Sequence, residues 1–99
     1  MGALVPVKII RVNGGREEHE VGRHIVMDWI RRMIGAPQAL DTVNLRDGRV
    51  LIVDDTGLID GRPVNPIATG LYRSVCRPGS DGTIHGDVAV LIDADLEEE

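Results

Sequence analysis

Four residues in the second half of the chain have types and spacing suited to holding an anion: Arg62, Asn65, Arg73 and Arg77. Asn65-Pro66 reads as a helix start, with Asn at the N-cap and Pro at the first helical position. A helix start presents backbone N–H groups to phosphate, and Gly-rich turns do the same. Arg62 before that start and Arg73 and Arg77 after it would add guanidinium forks, which match phosphate and carboxylate geometry. The arrangement predicts a site for a small anionic ligand such as a nucleotide. The competing reading pairs Arg62 and Arg77 with Asp60 and Asp81. The sequence contains no Walker or dinucleotide fingerprint.

Nucleophilic catalysis would need Cys76 or Ser74 beside a base, and His85 and Asp87 follow nearby in the chain. Cys76 closes a predicted helix and reads as a small core residue, so no catalytic residue is assigned. His19, His24, His85 and Cys76 are the candidate metal ligands. His19 and His24 are five apart across a strand–helix junction and lack the i,i+4 spacing of a zinc pair. Neither Asp54-Asp55 nor Asp81 has Gly and a distal Glu at EF-hand offsets. No metal and no cofactor is expected.

Composition narrows the partners. The chain has 99 residues, enough for one domain over 1–99 with an acidic frayed segment at 94–99. Its apolar residues make up 42%, but there is no Phe, one Trp and one Tyr, so the core must be aliphatic. Few broad rings are left to stack on nucleic-acid bases. The net charge of −5 is uneven: residues 1–77 carry eleven bases against nine acids, and seven acids with no base follow Arg77. This asymmetry argues against direct nucleic-acid binding by the C-terminal part. The acidic run would suit a basic partner surface, although a solvated charge run is the commoner explanation. Cys76 is the one cysteine, which fits a reducing cytoplasm. No apolar run is long enough to span a membrane, and the first residues lack a basic signal-peptide region, so a cytoplasmic location is expected.

The elements that must position these residues follow from local pattern. Val5 to Val12 is β-branched and reads as a strand with Pro6 near its start, and Asn13-Gly14-Gly15 turns it into a polar return strand over Arg16 to Val21. His24 to Ile34 is the clearest helix. Val26, Trp29, Ile30 and Met33 form its apolar stripe, Asp28 and Arg32 an i,i+4 pair, Gly35 its C-terminal stop and Pro37 a barrier beyond it. Arg46-Asp47-Gly48 joins strands at Leu40–Leu45 and Arg49–Val53, the strongest hairpin signal in the chain. Asp54-Asp55-Thr56-Gly57 is a turn, Leu58 and Ile59 lead to another at Asp60-Gly61, and the second helix runs from Asn65 to about Cys76. Asp87 to Asp93 is a buried-type strand. The expected fold is α+β, in the order β-β-α-β-β-α-β: a small, mostly antiparallel sheet with both helices covering one face. The edges of so small a sheet leave room for homo-oligomer formation.

Val53-Asp54-Asp55-Thr56-Gly57-Leu58-Ile59-Asp60-Gly61-Arg62-Pro63-Val64-Asn65-Pro66-Ile67-Ala68-Thr69, then a loop, then Ile84-His85-Gly86-Asp87-Val88-Ala89-Val90, resembles a phage- and mobile-element-borne family, the domain of unknown function 3846. The resemblance is strongest over residues 50–92 and looser over 5–49. It implies a viral or mobile-element accessory protein acting in a bacterial host, and it supplies no activity or catalytic residue to carry over. The expected function is therefore non-enzymatic binding of a host macromolecule, as an inhibitor or counter-defence factor. The alternative is a small-ligand binder that sequesters a nucleotide through Arg62, Asn65, Arg73 and Arg77. A small enzyme of unknown reaction is the third reading.

Overall fold

A computed structural model describes residues 3–36, 39–56, 60–79 and 81–92. The expectations for Pro37, Gly57, Leu58, Ile59, Asp93 and the acidic segment 94–99 lie outside these residues. Strand β1 (Leu4–Ile10) turns at Asn13-Gly14-Gly15 into β2 (Arg16–Gly22). The Asn13 carboxamide closes this turn by accepting from Gly15 N at 2.8 Å. A single 3-10 turn at Arg23–Ile25 leads into α1 (Val26–Ile34), so the α-helix proper starts two residues later than the pattern from His24 suggests. Gly35 ends α1 with φ 67°, the left-handed conformation that a Cβ would disfavour. Strands β3 (Leu40–Asn44) and β4 (Arg49–Asp54) form the expected hairpin. Helix α2 (Pro66–Ser74) stops before Val75, and β5 (Val88–Ile92) completes the chain order. The class is α+β, as expected.

All the strand pairings are antiparallel, and the spatial order is β2-β1-β5-β4-β3. The last strand in sequence therefore fills the centre, between the two hairpins. Its composition explains the position. Val88, Ala89, Val90 and Leu91 are all buried, so β5 is apolar on both faces and only a central place removes both from water. β4 repeats the pattern with Val50 to Val53.

The helices lie on opposite faces of this sheet, which corrects the expectation that both cover one. Val26, Ile30 and Ile34 of α1 pack with Val5, Val7, Ile9, Val50, Ile52, Ala89 and Leu91. Ala68 of α2, with Ile67, Leu71 and Tyr72, packs with Ile10, Leu51, Val53, Val88 and Val90. Successive strand residues point to opposite faces, so the unbroken apolar runs of β4 and β5 present two apolar surfaces, and each needs its own cover. Each fully buried aliphatic side chain contributes roughly 1.5–3 kcal/mol to folding, so neither face is left bare at the centre.

Candidate functional site

The connection from β4 to β5 builds the most polar part of the interior. Asn65 is fully buried. Its side-chain oxygen accepts from Ala68 N at 3.1 Å and so caps α2. Its Nδ2 donates to the carbonyls of Ile10 and Gly86, each at 3.0 Å. One amide thus ties α2 to β1 and to the segment preceding β5. Thr69, also buried, accepts from Ile84 N at 3.0 Å. Backbone bonds from Asn65 N to Ile84 O and from Gly86 N to Pro63 O, both 2.8 Å, zip residues 63–65 against 84–86.

Arg62 works on the same connection. Its Nε lies 2.9 Å from Asp54 Oδ2, an ion pair whose carboxylate is wholly buried. Its two terminal nitrogens donate to the carbonyls of Ile34 and Gly35, the free C-terminal acceptors of α1. Asp54 Oδ1 in turn accepts from Thr56 N at 3.0 Å. Gly86 lets Arg62 pass: at φ 89° a Cβ there would stand 2.9 Å from Arg62 Cδ. Arg73 donates to the carbonyls of Gly82 and Asp81 at 2.9 and 3.0 Å and so holds the segment before β5 against α2. Arg77 is exposed beyond the end of α2.

Three of the four residues singled out from the sequence, Arg62, Asn65 and Arg73, therefore direct their donors at the protein itself. Arg62 does so at the end of α1 and Arg73 at the 81–82 segment. The thiol arrangement is not assembled either. Asp87 accepts from Arg11 Nη1 and from Val12 N, each at 2.9 Å. Cys76 pairs with Tyr72, and Ser74 Oγ donates to Leu71 O at 2.6 Å.

These anchors enclose a cavity of about 200 Å³ between β3, β4, α2 and the 82–85 segment. Val43, Val53 and Ile84 give it an apolar floor, and Asp41, Asp55, Tyr72, Thr83 and His85 give it a polar rim. No ion pair to Asp41 or Asp55 occurs among the described residues, in contrast to Asp54. Tyr72 is pushed above the ordinary tyrosine range, first by its hydrogen bond to the Cys76 side chain and last by the Asp41 carboxylate, so it stays a neutral phenol. His85 Nδ1 is 2.8 Å from the Arg62 carbonyl, and its Nε2 is 2.7 Å from Thr83 Oγ1. A carbonyl can only accept, so Nδ1 donates to it, and in that tautomer Nε2 faces the Thr83 hydroxyl as an acceptor.

Sequence reasoning named His85, but as a partner for Cys76 or a candidate metal ligand, and it missed Asp41, Tyr72 and Thr83 as a group. They come from separate segments, which local spacing cannot join. The Thr83–His85 separation of two residues on an extended segment is the one local signal, since such residues share a side. Among the described residues no three His, Cys, Asp or Glu side chains converge as a metal site. Among the same residues no helix is long and apolar enough to cross a membrane. Comparison of the chain with protein-family models, with curated proteins and with solved structures yields no match.

Proposed function

We propose that this chain is a protein-binding module that takes a basic side chain of its partner into the Asp41–Asp55–Tyr72–His85 cavity. The observation that carries this reading is the pair of carboxylates, with no ion-pair partner among the described residues, at the mouth of an apolar-floored cavity. A long cationic side chain lays its methylenes along apolar surface and keeps its charge at the rim, and the cavity is built in that order. The Tyr72 ring adds a face on which a guanidinium can stack. The net charge of −5 favours encounter with a basic surface. The family resemblance supplies the setting: a host macromolecule, here a host protein, met in the bacterial cytoplasm by a phage or mobile-element product.

The alternative, an anion site on Arg62, Asn65, Arg73 and Arg77, has less support. The first three are engaged with backbone carbonyls or with Asp54, and an anion would have to displace those bonds.

Titration of the amide spectrum with N-acetyl-arginine methylamide tests the proposal. Shifts should gather at Asp41, Asp55, Tyr72 and His85, weaken in high salt, and vanish with the neutral citrulline analogue and in the Asp41→Asn, Asp55→Asn double variant. Equal shifts with citrulline would defeat it.

A further inference from the structure

The rim holds a second arrangement that binding does not require. Thr83 Oγ1 sits 2.7 Å from His85 Nε2, and His85 Nδ1 sits 2.8 Å from the Arg62 carbonyl. Nucleophile, base and orienting acceptor are thus each within hydrogen-bond reach of the next, the relation that activates a hydroxyl for attack on an acyl carbon. The orienting group is a backbone carbonyl that is itself fixed, because Arg62 is clamped to Asp54 and α1 and its segment is bonded to 84–86. Thr83 is exposed and lines the cavity, so an acyl carbon can reach it. Its partner is held in the tautomer that removes a proton rather than supplying one.

We infer that Thr83 and His85 form a nucleophile–base pair that accepts acyl groups from activated esters, with esters bearing a cationic group preferred. Thr83 Oγ bonds to the carbonyl carbon as His85 Nε2 takes the hydroxyl proton. The bond from carbon to the leaving oxygen then breaks, the leaving group departs as an anion with that bond's electron pair, and His85 passes the proton to solvent. The acyl group stays on Thr83 as an ester, the product that mapping detects. The neighbouring N–H groups of Ile84 and Gly86 are bonded to Thr69 and Pro63, so they are not free to hold an oxyanion. The activity is accordingly confined to esters whose leaving groups carry the negative charge away. The nucleophile–base pair stands independently of the basic-side-chain reading; the cationic preference rests on it, through Asp41 and Asp55.

The probes are 4-nitrophenyl acetate, which is neutral, and 4-nitrophenyl 4-guanidinobenzoate, which is cationic. Nitrophenolate release is followed together with peptide mapping of the acylated residue, which separates Thr83 from Cys76 and Lys8. The expected result is an acyl group on Thr83, lost in Thr83→Val and retained in Thr83→Ser. Release from His85→Gln should be slower by about 10²-fold or more. The neutral probe reads the pair alone. In Asp41→Asn, Asp55→Asn the cationic probe should lose its rate advantage over the neutral one; an advantage retained there defeats the charge reading, whereas acylation of the parent by the neutral probe reads the pair. Acylation that bypasses Thr83, or a Thr83→Val protein as fast as the parent, would overturn the inference.

Discussion

On one side of the sheet, α1 is held by shape. Its buried residues are Val26, Ile30 and Ile34, all apolar, with Trp29 and Met33 packed at the margin. Apart from the buried Asp54 carboxylate, which Arg62 ties to the end of α1, the polar groups on this side stay at the rim. There Arg11 joins Glu17 at 2.8 Å, Asp87 at 2.9 Å and the Met33 carbonyl at 2.9 Å. On the other side, α2 is held by chemistry. It buries Ala68 and Thr69 and begins at the fully buried Asn65, whose amide serves α2, β1 and the segment before β5 together. Apolar packing tolerates a substitute of similar volume, whereas a buried hydrogen-bonded amide leaves orphaned partners when it is changed. The cavity lies on the α2 side, where directional bonds fix the backbone to which Thr83 and His85 belong.

The contrast can be broken most sharply at Asn65. Asn65→Ala should cost about 3–5 kcal/mol, since it removes the helix cap and strands the buried carbonyls of Ile10 and Gly86. Equilibrium urea unfolding measures this, and a loss near that of an ordinary surface change would erase the difference between the faces. Arg62→Met comes next, at about 2–4 kcal/mol, because the wholly buried Asp54 carboxylate is left without its cation. Adding Asp54→Asn should recover part of that loss in a double-mutant cycle. Ile30→Val, at the fully buried centre of the α1 face, should cost only about 0.5–1.5 kcal/mol. A loss equal to that of Asn65→Ala would mean that both faces are equally exacting.

The rim of the α1 face gives the smallest effect, which is best seen through pH. The Arg11 hydrogen bond, followed by that of His19, lowers Glu17 from 4.5 to about 2 in the folded chain. A carboxylate lowered by folding stabilises the fold above its unfolded value and loses that contribution as pH falls through the folded one. The urea midpoint should therefore drop between about pH 4.5 and pH 2, and Glu17→Gln should flatten part of that drop. Parallel acid profiles for the two proteins would show that the rim network does not contribute.

Much of the element order is legible because its signals are local. Asp47-Gly48 makes a hairpin turn, Gly35 stops α1, and Asn65-Pro66 starts α2, each from conformational preferences within a few residues. The unbroken apolar runs of β4 and β5 already carried the information that two faces need covering. A one-face reading overlooked it by counting helices rather than strand faces. For the site, type was legible and destination was not. Asn65 was correctly placed as a cap, but its two amide protons reach carbonyls 55 and 21 residues away. Arg62 and Arg73 looked like ligand contacts because an unpaired guanidinium and one bonded to a distant carbonyl are identical in sequence.

From the residues alone come the α+β class, the β-β-α-β-β-α-β order, the aliphatic core and the positions of the caps and turns, because each depends on φ/ψ preference and on hydrophobic periodicity over one or two turns of chain. Three-dimensional packing alone decided that β5 sits at the centre, which helix covers which face, and that Asp41, Tyr72, Thr83 and His85 share one cavity. The reason is physical: pairing partners for a strand edge and acceptors for a buried donor are chosen by the whole folded chain, which excludes water from every apolar face and leaves few buried polar groups unbonded.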